Sequence, residues 1–230
     1  MFQLNVSFSK TFSNKRIGEA FGGPGLVGNW ASAKKVQVGT FNENARSAHS
    51  PLWFTAADGI LTEIYYPTID HAQLKDSQFL ITDSKSFLLE EKNLNHQVEV
   101  LSPSLVKLIN TDPNGRFRIT HTYYSLKDSA TLIDEVEVQL NTNDIKLFLL
   151  TNPHLNNSAS GDNAFVNDQG FYFEENDTAL QISSSEGFSD KSVGFVGFSD
   201  GYQDLFQDYT MDFNFTSAKN GNTASLGKIN

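Results

Sequence analysis

Short runs of β-branched and aromatic residues, each closed by residues suited to a tight reversal, recur along most of this chain, and no other feature restricts its fold as much. LWFT from Leu52 leads through Asp58-Gly59 into ILTEIYY, and SQFLIT leads through Asp83-Ser84 into KSFLLEE. Asx and glycine residues accept the backbone angles of tight loops, so both segments read as β-hairpins. The strongest signal is TDPNG between SLVKLIN and RFRITHTYY, where Pro113 presets a turn and Asn114-Gly115 can supply positive φ angles. Downstream, TLIDEVEVQL and IKLFLLT are joined by NTND, GFYFEE and TALQIS by Asn176-Asp177, and VGFVGFS and YTMDFNFTS follow as extended runs.

Glu135-Val136-Glu137-Val138 and Arg116-Phe117-Arg118-Ile119 alternate with period two, which gives each strand one wet face and one dry face. Helices packed on both sides of a sheet would instead require continuously apolar strands. Only the stretch Tyr202-Gln203-Asp204-Leu205-Phe206 reads as helical. Roughly a dozen strands cannot stay in one flat sheet, so the expected fold is all-β, a large antiparallel sandwich with the dry faces buried together. No fixed-period repeat is present, which argues against a propeller or solenoid.

The 230 residues suit one large domain, and 27 acidic against 17 basic side chains give a net charge of -10. That balance disfavours nucleic acid or an acidic membrane surface as a partner. The absence of cysteine excludes disulfides, thiolate metal sites and cysteine nucleophiles while leaving the compartment open. The start, MFQLNVSFSKTFSNK, lacks the apolar centre of a signal peptide, and no later run is long enough to span a bilayer. A secreted or periplasmic address would require a leader already removed.

Gly18 to Gly28, Asn152 to Gly161 and the terminal SAKNGNTASLGKIN have the composition of loops. The first is glycine-rich but lacks the Gly-Lys-Ser/Thr of a phosphate loop, and close backbone packing around Pro24 and Trp30 is the expected reason for its glycines. His49, His71, His96, His121 and His154 occur singly, without metal-site spacing, and no GxSxG elbow is present. Loop carboxylates such as Asp58, Asp70 and Asp76 do not follow a calcium-loop pattern. No cofactor, no metal and no catalytic residue is therefore expected. Glu63, Asp70 and Asp76 fall in or near ILTEIYYPTIDHAQLKD and can approach one another across loops, as a pair of acids in a glycosidase must; alone, Glu63 reads as a solvent-face residue and the two aspartates as turn or cap acids.

The aromatic residues carry the best binding signal. Trp30, Trp53, Tyr65, Tyr66 and Tyr202 border expected loops, and with Asp70 and Asp76 they are the candidate carbohydrate or domain-interface residues: rings stack on sugars while polar groups read hydroxyls.

Four long segments, GPGLVGNWASAKKVQVGT, SPLWFTAADGILTEIYYPTIDHAQLKDSQFLITD, LLTNPHLNN and VGFVGFSDGYQDL, resemble the amino-terminal domain of prokaryotic glucoamylases and glucodextranases of glycoside hydrolase family 15. The likeness runs from about Phe21 to about Leu205. It implies a super-β-sandwich of galactose-mutarotase-like architecture, occupying 1–230 as one domain whose last strands lie further on. It also implies an accessory role beside a C-terminal helical (α/α)6 catalytic barrel, which this chain does not contain. In the family that barrel hydrolyses α-glucosidic bonds exo-wise with inversion, and its two glutamates map onto no residue here. The isolated chain is accordingly expected to be inactive, and its contacts to be that barrel and α-glucan oligosaccharides or polysaccharides. A freestanding carbohydrate-binding module for α-glucans is the alternative. Phe21 to Trp30 and Tyr65 to Asp76 are the expected contact segments, and Tyr202 stands where the family often has tryptophan.

Overall fold

The computed structural model describes residues 16–28, 35–44, 48–102 and 104–230. Strands β1 (Arg16–Glu19), β2 (Gln37–Asn44), β3 (Ala48–Ala57), β4 (Ile60–Tyr65), β5 (Ala72–Thr82) and β6 (Leu88–Glu90) come first. They are followed by β7 (Asn95–Ser102), β8 (Leu105–Thr111), β9 (Phe117–Ser125), β10 (Leu132–Leu140), β11 (Lys146–Pro153) and β12 (Asp162–Val166). The remainder comprises β13 (Gly170–Glu175), β14 (Thr178–Ser183), β15 (Phe188–Phe195), helix α1 (Gly201–Asp208), β16 (Phe213–Gly221) and β17 (Thr223–Ile229).

The strands form an eight-stranded sheet in the order β15-β17-β11-β5-β4-β3-β2, with β6 on β5. A four-stranded sheet, β10-β9-β8-β7, and a five-stranded sheet, β1-β16-β12-β13-β14, complete the fold. Pairing is antiparallel except between β1 and β16. The two smaller sheets cover one face of the large sheet. Phe54, Ile64 and Leu74 meet Val106, Leu108 and Tyr123 of the four-stranded sheet, and Val193 and Phe195 meet Phe171, Phe173, Phe213 and Phe215 of the five-stranded one. Leu180 of β14 touches both clusters, so the smaller sheets abut. On the opposite, outer face, Leu80, Phe148, Leu150 and Leu226 pack against Leu205 of α1. The result is an all-β sandwich.

Period two operates as expected in β9, where Phe117, Ile119, His121 and Tyr123 turn inward and Arg118 outward. It fails in β10, an edge strand wet on much of both faces, with Val136 40 % exposed. The turns behave as their sequences require. Asp58 and Gly59 take φ 49° and 75°, and Asn176 takes 53°. In TDPNG only Gly115 is left-handed, at φ 69°, because Asp112 organises the turn instead: its carboxylate accepts the Arg116 N–H at 3.0 Å and its guanidinium at 2.6 and 2.9 Å.

NTND joins two strands that do not pair with each other, since β10 pairs with β9 while β11 crosses to the large sheet. One expectation is corrected. The terminal SAKNGNTASLGKIN is no loop. It contributes the end of β16 and all of β17, which is paired on both sides by β15 and β11 and is therefore not an edge. Small residues are what this interior position demands: a Cβ on Gly227 would stand 2.5 Å from Phe188 and 2.8 Å from Phe171.

Candidate functional site

Strand register places Trp53, Thr55, Glu63 and Tyr65 on the outer face of the large sheet, since Trp53 opposes Tyr65 and Thr55 opposes Glu63 while their neighbours Phe54 and Ile64 point inward. Glu63 is not a solvent-face residue: it is 1 % exposed. The Tyr65 hydroxyl donates to its Oε2, Lys35 Nζ lies 2.9 Å from the same oxygen, and the Thr55 hydroxyl reaches it at 3.4 Å. Lys35 also donates to the Tyr65 hydroxyl at 2.5 Å. Those bonds, to Tyr65 first and Glu63 second, raise the Lys35 ammonium above its ordinary value, while burial and the Glu63 bond raise the Tyr65 phenol. Lys35 is thus held as a cation, and the buried Glu63 carboxylate has a fixed partner.

Across the same face, Asp76 opposes Asn152, whose amide donates to its carboxylate, and burial pushes the Asp76 carboxyl up. Asp76 lies within β5 and is not a turn acid. Farther along, α1 starts at Asp200, whose carboxylate accepts the Gln203 N–H at 3.0 Å, and ends at Tyr209 in left-handed geometry, φ 67°. Tyr202 and Phe206, one helical turn apart, stack at 5.9 Å between ring centres with 19° between planes. Beside them a groove of about 440 Å³ separates α1 from Phe87–Asn93.

The loop stretches form a second surface. The Ala72 N–H donates to Asn157 Oδ1 at 2.8 Å, and Asn157 Nδ2 donates to the Asp70 carbonyl at 2.9 Å. Gln73 bonds the Tyr66 carbonyl at 2.7 Å and accepts the Asn156 N–H at 2.9 Å. From the other side, Leu26 bonds Val196 at 2.9 Å, Asn222 Nδ2 bonds the Leu26 carbonyl at 2.8 Å, and the Ser199 hydroxyl bonds the Phe21 carbonyl at 2.6 Å. A Cβ on Gly28 would touch Ala159 at 2.8 Å. Segments 66–72 and 154–159 are thus bonded to each other, as are 21–28 and 196–199, and the two pairs meet in one layer where Gly28 packs against Ala159. Its apolar side chains stand in water: Val27 is 97 % exposed, with Leu26, Ile69, Phe198 and Phe21 at 54, 57, 46 and 44 %.

The sequence-predicted residues divide between these surfaces. Trp53, Tyr65 and Asp76 share the outer face with Tyr202, although Tyr65 is buried and Trp53 half-buried. Tyr66 and Asp70 belong to the loop layer; Asp70 is a turn acid, lowered by the Thr68 hydroxyl at 2.6 Å. Trp30 lies outside the described residues. Sequence reasoning missed Lys35, Phe206 and the Asn156-Asn157 pair. The Tyr202–Phe206 spacing of one helical turn was a usable signal for the second, and asparagine's tolerance of left-handed backbone, seen at φ 53° and 64°, for the third.

A family model described as glucodextranase, domain N, matches residues 20–230. A glucoamylase from Clostridium sp. (strain G0005) is 34 % identical over 225 residues, covering 94 % of this chain and 31 % of that protein. A solved bacterial glucoamylase complexed with acarbose aligns with a TM-score of 0.85 at 32 % identity, covering 92 % of this chain and 32 % of that one. The chain thus spans about a third of the length of these relatives. With the match extending over nearly all of its residues and the sandwich reproduced, the chain belongs to the glucodextranase N-domain family.

Proposed function

We propose that residues 1–230 form one β-sandwich domain, the non-catalytic N-terminal domain of a glucoamylase-type glycoside hydrolase (a glucan 1,4-α-glucosidase), and that its loop layer packs against and stabilises a C-terminal helical catalytic domain. The carrying observation is the loop layer itself. Apolar side chains exposed together on a rigid support are the mark of a surface that is covered in the functional protein. The relatives' length supports the same reading, since about two thirds of each lies beyond the matched portion. Glu63, the carboxylate nearest the aromatic cluster, is sealed and bound by Tyr65, Lys35 and Thr55, which supports a structural role for it.

The test is to purify this chain and the catalytic domain of its parent gene separately, then measure association and glucose release from maltooligosaccharides. The chain alone is expected to release none, and the mixture to be more heat-stable than the catalytic domain alone. Val27→Asp with Ile69→Asp should weaken association by about tenfold or more, because a charge would be buried at the contact. Robust glucose release by the chain alone, or association indifferent to the pair of substitutions, would overturn the reading.

A further inference from the structure

We infer that the groove between α1 and Phe87–Asn93 is a binding site for an α-glucan chain. A pyranose offers flat C–H faces edged by hydroxyls, so its site needs ring faces, a few directed polar groups and no net positive charge. The groove supplies each. Tyr202 and Phe206 present stacked rings along one wall, and Tyr209, fixed by the left-handed helix end, adds a phenol. Glu90 and Asn93 are the polar residues of the other lining segment. The Glu90 carboxylate is already oriented by Gln78 Nε2 at 3.0 Å and by Lys92, so it is held ready for hydroxyl donors. The cations at its edge are already engaged, Lys92 by the Glu90 carboxylate and Arg116 over the Phe87 ring at 4.0 Å and on Asp112, so neither stands free for an anion. The volume of about 440 Å³ lies within the usual range of about 300–1,000 Å³ for small-ligand sites.

Phe206 supplies the exposed ring face of the groove. It is 64 % exposed on a short helix whose neighbour Leu205 is fully buried, so its burial contributes little to folding. That the saccharide is an α-glucan rests on the function proposed above.

The test uses the 230-residue chain in native affinity electrophoresis through soluble starch, and in titration with maltoheptaose against cellohexaose. The wild type should be retarded by starch and bind maltoheptaose in preference to cellohexaose. Phe206→Ala should lose about tenfold in affinity while its thermal midpoint stays within about 2 °C, since the ring is exposed. Tyr202→Leu should weaken binding similarly. No retardation of the wild type, or equal retardation of Phe206→Ala, would overturn the inference. So would loss of catalytic-domain association in Phe206→Ala without any glucan binding, an outcome that assigns the groove to a protein contact. Absent glucan binding with association intact leaves the accessory reading standing.

Discussion

Replacing Glu91 by alanine should be among the most damaging single changes in this fold, although Glu91 itself lines neither candidate surface. It lies on a 3-10 turn, Glu91–Asn93, and is 1 % exposed. Its Oε2 accepts the Phe79 N–H of β5 at 2.8 Å, and its Oε1 accepts Asn110 Nδ2 of β8 at 2.7 Å and His121 Nε2 of β9 at 2.7 Å. Nδ1 of His121 donates to Asp134 on β10 at 2.8 Å, and the ring is stacked between Phe79 and Tyr123. Burial alone would push the imidazolium down, but the two carboxylates overcome it and hold His121 well above the ordinary histidine value. One carboxylate therefore joins the large sheet to the four-stranded sheet through a buried cation. Removing one partner of a buried pair costs about 3–5 kcal/mol, because the remaining charge and the freed donors stay in the interior. At about 2–4 °C per kcal/mol for a chain of this size, the thermal midpoint should fall by roughly 6–20 °C. Urea unfolding at pH 7 measures the free-energy loss and a thermal melt the shift in midpoint. Glu91→Gln, which keeps the shape and one acceptor, should recover part of the loss. The pH dependence is a second check: a raised histidine stabilises fully below its unfolded pKa of about 6.5, and the contribution fades as pH rises through the higher folded value. Wild type should thus weaken on the alkaline side, and His121→Gln should lose that limb. A loss below about 1 kcal/mol in Glu91→Ala would show that the network is solvated and would refute the argument.

Asp162 should behave in the opposite way on substitution. It is fully buried, and burial, with the Glu175 charge adding to it, pushes its carboxyl up to about 8. Between about pH 4 and pH 8 the unfolded chain releases this proton and the folded chain retains it, so stability falls as pH rises across that window. Asp162→Asn should then gain on the order of 2 kcal/mol at pH 7 and almost nothing at pH 4, read by denaturant unfolding at both. Gly194→Ala should cost about 3 kcal/mol, because its Cβ would stand 2.0 Å from the Ser199 carbonyl oxygen and 2.7 Å from the Asp200 nitrogen, neither of which can yield. A variant that unfolds at the wild-type urea concentration would show that the 195–200 turn relaxes freely.

Features encoded by adjacent residues were legible in the sequence. Asp58-Gly59 and Asn176-Asp177 fix their hairpins because the left-handed angles they must supply are local properties. Sheet membership was not legible. NTND has turn composition whether its strands pair or part, and the partners of β11, namely β5 and β17, lie some seventy residues away on either side. Period two correctly groups Trp53 with Glu63 and Tyr65 and separates them from Phe54. It cannot say whether that face meets water or lies under other side chains, so Glu63 reads as exposed until Lys35 and Tyr65 are placed on it. The small residues of SAKNGNTASLGKIN gave a loop reading for a related reason: alanine, serine and glycine suit turns by propensity, yet they also suit a central strand pressed against aromatic rings.

The loop layer is a surface without regular structure whose segments are nonetheless held in place, as the docking proposed above requires. Helices and strands satisfy backbone groups by repetition, whereas segments 66–72 and 154–159 must do so with side chains. Gln73, Asn157 and Asn222 meet that need, each bonding the backbone of a segment distant in sequence. Glycines admit the close approaches this requires; a Cβ on Gly25 would lie 2.8 Å from the Asn222 carbonyl oxygen, at φ 88°. Holding these loops in place before contact lowers the ordering cost that association would otherwise incur, so the exposed Leu26, Val27, Ile69 and Phe198 can contribute their apolar area to binding. Asn157→Ala frees both the Ala72 N–H and the Asp70 carbonyl, so it should weaken catalytic-domain association more than its modest effect on the fold implies.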